Sequence, residues 1–321
     1  MDGSLSRVAV TGAGGFIGAA VSRRLVADGA EVLGLDLPAA QERVRATGAR
    51  FVACDVTDAG AVADALRGVP HVVHTAAIVS DWGAMDEFVR VNVGGTRNVL
   101  DAAAGAERVV HVSSIAIWGH DFDSDVHEDA EPRPSGHPYV DTKGASDVLA
   151  RERGVAVVRP GDVYGPGSVP WAIRPLEAMR GRRLAVPRRG VITPVYVDDL
   201  VDLIVLALAH PDAAGHTFVG WEGPPLAVRD FFDRYARMFG RRRAPVLPVP
   251  VLKAFAALEE TLARVRRRPP TVTRWGIDYL CRTSAYRASR AQELLGWHPR
   301  VDLDEGMRRT EAWARAEGLL H

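Results

Sequence analysis

Apolar, β-favouring runs recur through the first half of the chain, at 7–11 (RVAVT), 31–35 (EVLGL), 50–53 (RFVA), 70–74 (PHVVH), 107–112 (ERVVHV) and 155–159 (VAVVR). Between most of them the apolar positions change to helical spacing, at 16–28, 58–67, 85–104 and 138–153. Strands alternating with helices predict βαβ units and a parallel sheet covered on both faces. Such crossovers are right-handed, so the expected architecture is a doubly wound α/β sheet. Beyond residue 168 the alternation loosens. Proline and arginine become frequent, and helices predicted near 226–239, 249–266, 287–295 and 303–317 are separated by irregular segments. The pattern divides into a nucleotide-binding part over 1–168 and a smaller, mainly helical substrate-binding region over 169–321. Residues 194–219 are expected to return to the main sheet.

The turn after the first strand says what the sheet binds. Thr11-Gly12-Ala13-Gly14-Gly15-Phe16-Ile17-Gly18 closes a strand and opens a helix, the context that makes a glycine pattern a dinucleotide fingerprint of a Rossmann-type fold. Gly12 allows the tight turn, Gly15 lets backbone approach a pyrophosphate, and Gly18 lets helix pack on strand. The helix N-terminus then offers free N–H groups to the phosphates, with Gly14, Phe16 and Ile17 beside them. Asp36 ends the second strand, where a carboxylate accepts from both adenosine ribose hydroxyls and repels a 2′-phosphate. Leu37 and Pro38 follow it rather than arginine, so NAD is expected over NADP, with Arg43 the residue that could reverse the preference. Asp55, followed by Val56, comes after the third strand; it either meets the adenine amino group or serves as a turn or N-cap aspartate.

Tyr139 and Lys143 lie four apart on a predicted helix and therefore share a face. An unperturbed phenol titrates near pH 10 and is a poor base at neutrality. A fixed ammonium close by stabilises the tyrosinate and is expected to lower that value. A phenol so tuned exchanges a proton with a substrate hydroxyl or carbonyl while hydride moves to or from nicotinamide. Of 40 basic residues only Lys143 and Lys253 are lysines, and a position that keeps lysine can need a compact ammonium. Ser113 and Ser114 end the fifth strand at the ligand-binding edge of such a sheet. Strand alternation sends them to opposite faces, so one of the two orients substrate and the other is structural.

Composition narrows the class. The chain of 321 residues is 47% apolar and 25% charged with zero formal net charge, which gives no electrostatic case for nucleic acid. Two cysteines, Cys54 and Cys281, are too few for a disulfide framework or a cysteine-ligated zinc site. His120, His127 and His137 lack ligand spacing, so no metal is expected. Residues 1–7 lead at once into the first strand and the nucleotide motif, which leaves no room for a signal peptide, and no apolar run approaches the roughly 20 residues of a membrane span. A cytoplasmic location is expected.

With these residues in hand, the chain resembles the extended short-chain dehydrogenases, a family that includes nucleotide-sugar epimerases and dehydratases. The match runs almost end to end, through TGAGGFIG, HTAA (74–77), NVGGT (92–96), SSIAIWG (113–119), YVDTK (139–143), RPGDVYGPG (159–167), PVYVDDL (194–200) and LGWHP (295–299). The resemblance implies that Lys143 also binds the nicotinamide ribose and that Asn92 supports the active site. It further implies that Ala76 and Ala77 line the cofactor, that Pro160 belongs to the cofactor site, that Val163 sits by the nicotinamide, and that dimers pair the helices near 85–104 and 138–153.

Two departures speak against a sugar-nucleotide enzyme. Ile115-Ala116 stands where sugar epimerases place a third hydroxyl and 4,6-dehydratases an Asp-Glu pair. Asp162 stands where the sugar enzymes carry a diphosphate-binding asparagine, and a carboxylate would repel the diphosphate. Ser-Ser-Ile, the Val79-Ser80-Asp81-Trp82 loop, the apolar stretch 244–258 and the tail 308–320 look like the 3β-hydroxysteroid dehydrogenase branch. The expectation is a secondary alcohol or ketone on an apolar skeleton, with Trp82, Trp118, Trp171, Trp221 and Trp275 available to wall the pocket. The alternatives are a nucleotide-sugar 4-epimerase and a non-catalytic NAD-sensing protein. In residues 246–268, Val251, Leu252, Phe255, Leu258, Leu262 and Val265 form an apolar stripe. It reads as a helix covering the substrate pocket. Contact with a membrane surface is the less favoured reading, because Glu259 and Glu260 dilute the positive charge and the stripe is narrow.

Overall fold

The computed structural model describes residues 5–120, 126–221, 223–283 and 286–320. Six strands of the first half, β1 (Arg7–Thr11), β2 (Glu31–Asp36), β3 (Arg50–Ala53), β4 (His71–His74), β5 (Arg108–Val112) and β6 (Ala156–Pro160), are joined by β7 (Thr217–Gly220). They form one sheet in the order β3-β2-β1-β4-β5-β6-β7, and every neighbouring pair is parallel. The strand order reverses beside β1, so the crevice at the carboxyl ends of β1 and β4 is where a doubly wound sheet binds ligands.

Strand alternation divides the core. Val8 and Val10 of β1 join Val32, Val110 and Val158 on one face, under α1 (Phe16–Ala27) and α5 (Val197–Ala209). Ala9 joins Leu33, Val72 and Val157 on the other, under α2 (Ala59–Leu66), α3 (Gly95–Ala102) and α4 (Pro138–Glu152). Each such valine or leucine contributes about 1.5–3 kcal/mol by leaving water.

Several elements differ from the sequence expectation. The helix expected over 85–104 is interrupted by a π-helical stretch at Val89–Gly94, which turns Asn92 into the interior. Segment 194–219 divides: β7 enters the main sheet, whereas Pro194–Tyr196 pairs in parallel with Asp162–Tyr164 outside it. The helix expected from 226 begins at Val228, as α6 (Val228–Met238), because Leu226–Ala227 pairs with Val191–Ile192.

The largest difference concerns α7 (Val249–Arg266). Its buried positions are Leu252, Ala256, Glu260 and Ala263, and it packs on α8 (Arg274–Leu280). Of the expected stripe, only Leu252 lies on that inner face. Val251, Phe255, Leu258 and Val265 are 46–78% exposed. Alanines and a glutamate that finds an arginine supply the close helix contact instead, so most of the stripe points away from the packed face.

Candidate active site

The nucleotide turn is shaped by contacts that exclude side chains. Gly12 has φ +67°, and a Cβ there would lie 2.8 Å from the Ala76 Cα. A Cβ on Gly18 would lie 2.2 Å from the Gly12 carbonyl oxygen, so α1 can start close to β1 only with glycine there. Gly15 is the N-cap of α1; no side chain caps it and no acid stands in the first turn. The first N–H groups of α1 are thus left for an anionic ligand. Asp36 accepts from the Gly14 N–H at 2.8 Å and the Leu37 N–H at 2.7 Å, which fixes its carboxylate at the rim of this turn. The Arg43 Nε donates to the Gly14 carbonyl at 3.1 Å on the same rim. Asp55 accepts from the Thr57 N–H and hydroxyl, a turn aspartate, and Val56 is buried against Gly95. The Ala76 N–H bonds the Thr11 hydroxyl at 3.3 Å, with Ala77 next in the loop after β4. Phe16 and Ile17 open α1, while Pro160 closes β6 and Val163 lies in the next short strand. This cradle fits a dinucleotide.

The catalytic candidates meet at the carboxyl end of β5. Ser114 follows the strand, accepts from the Ala116 N–H at 3.1 Å, and is the polar neighbour that acts on the Tyr139 phenol. Ser113 is buried, with no hydrogen-bond partner for its hydroxyl among the described residues. The two serines therefore separate, as alternation requires, and Ser114 is the one that meets Tyr139. One turn along α4, the Lys143 Nζ donates to the Val112 carbonyl at 2.7 Å. Asn92 bridges the site's supports. Its Oδ1 accepts from the Ile78 N–H at 2.7 Å, and its Nδ2 donates to Thr142 Oγ1 at 3.1 Å.

The electrostatics correct one expectation. Burial holds the Tyr139 phenol above its ordinary value, and Ser114 opposes this only in part. The expected lowering by Lys143 is not seen, because its ammonium is turned to a strand carbonyl. Burial brings Lys143 itself down to about 8, against an opposing pull from Asp147 one turn further on. His74 and His111 lie in the same layer, their rings 5.3 Å apart. Burial and the Lys143 charge push both down, His74 to about 3, so both are neutral beneath the site.

Partners that spacing could not reveal hold this arrangement. Asp147 and Arg159 form a buried ion pair at 2.6 Å, and Arg159 lies 4.8 Å over the Trp118 ring. Asp162 accepts from Arg282, from the Tyr279 hydroxyl at 3.0 Å and from the Thr193 N–H at 2.8 Å, all buried. Arg282 thus offsets the charge by which Asp162 would repel a diphosphate, while the carboxylate still only accepts and has no proton to donate to one. Asp81 bonds Thr273 at 2.8 Å and Arg174 at 3.2 Å, joining the loop after β4 to later elements. The only signal for Asp147 was its four-residue offset from Lys143; Arg282 and Thr273 carried none.

The tryptophans divide. Trp118 is fully buried core, stacked on Tyr286, and Trp221 meets the same tyrosine from the edge. Trp171 packs on Phe231. Trp275 stacks on His137, two residues before Tyr139, at 4.2 Å and on Tyr279 at 5.1 Å. Trp82 lies under Arg264. Of the five, Trp275 meets the start of α4 through His137.

Residues 8–219 match the family described as the NAD dependent epimerase/dehydratase family. A 2-alkyl-3-oxoalkanoate reductase of Stenotrophomonas maltophilia is 29% identical over 97% of this chain and 100% of its own. A UDP-glucose 4-epimerase of Mycolicibacterium smegmatis is 30% identical over 96% of this chain and 98% of its own. Among solved structures, MoeE5 in complex with UDP-glucose and NAD superposes with a TM-score of 0.75 at 26% identity, over 97% of this chain and 99% of that one. The chain belongs to the NAD dependent epimerase/dehydratase family.

Proposed function

We propose that this enzyme is an NAD-dependent oxidoreductase that interconverts a secondary alcohol and a ketone on an apolar skeleton. The observation that carries the reading is the meeting of Tyr139 and Lys143 on α4 with the end of β5, where Ser114 is followed by Ile115-Ala116. A proton-transferring phenol is present where the acid–base pair of a dehydratase is not. NAD, held at the glycine turn with Asp36 on its adenosine ribose, supplies hydride exchange when bound. Tyr139 donates its proton to the ketone oxygen and takes it back in the reverse direction, while Ser114 holds that oxygen. A phenol is protonated at neutrality and so can serve as the donor in ketone reduction. The alkyl ketone acid named for the Stenotrophomonas relative belongs to the same substrate class.

In this reading residues 1–168 with 194–219 bind NAD and the remainder of 169–321 covers substrate. The NAD-binding division draws support from β7 at the sheet edge. A homodimer through the helices near 85–104 and 138–153 is part of the reading, supported by exposed Met85 and Val89.

A second reading, a nucleotide-sugar 4-epimerase, gains from the neutralised Asp162 and from the epimerase relative. A substrate panel separates them. The first reading expects stoichiometric consumption of added NADH with 2-alkyl-3-oxo acids or ketosteroids and none with UDP-glucose. UDP-galactose formed from UDP-glucose without net NADH change would replace it with the second. Turnover of either kind removes the NAD-sensing alternative.

A further inference from the structure

Among the described residues, the outward face of α7 is left largely exposed. Val251, Phe255, Leu258, Leu262 and Val265 recur at alternating intervals of four and three residues along the side opposite α8. Leu247, just before the helix, is 40% exposed and extends the same apolar surface. A contiguous patch of this kind on a folded surface marks an interaction site more often than chance exposure does.

The charges of the helix explain what the patch can meet. Glu260 is turned inward, accepting from the Arg274 N–H at 2.7 Å and its Nε at 3.0 Å. Glu259 accepts from the Thr271 N–H, and Lys253 is paired with Asp278 at 2.5 Å. The acids that diluted the positive charge in sequence are thus engaged with α8 and the turn before it. Arg242 and Arg243 precede the stripe, and Arg266, Arg267 and Arg268 follow it. All five are exposed, and none has a salt-bridge partner among the described residues. Apolar side chains bracketed by unpaired arginines at both ends complement a surface that is apolar beneath and anionic above.

We infer that this face of α7 docks the enzyme on an anionic lipid bilayer, lying along its surface. No helix among the described residues is long and apolar enough to cross a membrane, so the contact is interfacial. The patch exposes on the order of 500 Å², less than the roughly 800 Å² each partner buries in a stable protein complex. A second copy would also bring the arginine clusters towards one another. The patch lies next to the loop after β4, since Arg264 covers Trp82 and Thr273 anchors Asp81, and Val79 of that loop is 65% exposed. A lipophilic substrate held in the bilayer would be presented on the side where Tyr139 is reached. The inference concerns a surface outside the reaction centre and stands whichever substrate the site takes.

Flotation of the full-length protein with vesicles tests it, using equal parts phosphatidylcholine and phosphatidylglycerol against phosphatidylcholine alone. Wild type should float with the anionic vesicles, and added salt should release it. Phe255→Asp should cut partitioning roughly tenfold or more, since an aromatic side chain leaves the interface and a charge enters it. Substituting Arg266, Arg267 and Arg268 by glutamine should cost about fivefold for each charge. Both variants should keep the wild-type melting temperature and NAD affinity, because these side chains face outward. Protein left at the bottom with anionic vesicles overturns the inference, as does undiminished flotation of Phe255→Asp. A dimer that Phe255→Asp disperses, in protein that does not float, assigns the face to a second copy and also overturns it.

Discussion

The sheet with its nucleotide turn and the elements that cover it after residue 168 are built by different means. In the sheet, local rules agree with one another: each strand alternates between two apolar faces, and Gly12 and Gly18 stand where any side chain would collide with backbone. The covering elements share the apolar core, but several of the contacts that hold them are polar and distant in sequence. Asp162 meets Arg282 across 120 residues, and Asp81 meets Thr273 across 192. A backbone requirement leaves a mark at the position that satisfies it. A long-range ion pair leaves one only at two unconnected places. The covering elements should therefore respond sharply to loss of such a pair, on top of the many small burials they share with the sheet.

Removing Arg282 tests that contrast most severely. Arg282→Met strands the Asp162 carboxylate in a site from which water is excluded, and the expected loss in urea unfolding is about 3–5 kcal/mol. The double variant Asp162→Asn/Arg282→Met should recover part of it, since no lone charge is then buried. A single variant as stable as wild type would remove the dependence on this pair.

Lys143 sharpens the comparison from the other side, because it is a buried charge to which the proposed function gives a role. Lys143→Met should lower kcat by about 10²–10⁴-fold. Its melting temperature at neutral pH should nevertheless rise. Burial depresses the folded pKa to about 8, below the unfolded value near 10.4, so at neutral pH the folded state holds a proton at a cost. The unfolded chain binds more protons between those two values, so wild-type stability recovers as pH rises through that window. The advantage of Lys143→Met should shrink over the same range. An advantage independent of pH from 7 to 10 would contradict the burial of a charged Lys143.

The smallest expected effect concerns cofactor choice. Asp36→Ala should weaken NAD and relieve repulsion of a 2′-phosphate, narrowing the NAD over NADP preference in kcat/KM by about tenfold. A wild type that prefers NADP would instead point to Arg43, already seated on the Gly14 carbonyl.

How much of this was legible in sequence follows the same division. The strands of the first half, the glycine turn, Asp36 and the Tyr139/Lys143 spacing could be read because each is set by local geometry. The break at Val89–Gly94 could not, since the bonds of Asn92 to Ile78 and Thr142 that accompany it depend on two other elements. The direction of the Tyr139 shift was misread because proximity on a helix says nothing of burial, or of a competing carbonyl at Val112. The α7 stripe was correctly found as periodic and wrongly aimed. Periodicity identifies a face, whereas Ala256, Ala263 and the Glu260–Arg274 pair decide which face packs.

The central claim is that the Tyr139 hydroxyl transfers the proton in an alcohol–ketone interconversion. Its direct test is the Tyr139→Phe enzyme, with kcat for an accepted ketone and NADH affinity measured on the same preparation. The account predicts that kcat falls by about 10²–10⁴-fold while NADH affinity and melting temperature stay within about twofold and a few degrees of wild type. Near-normal turnover in that variant would contradict it.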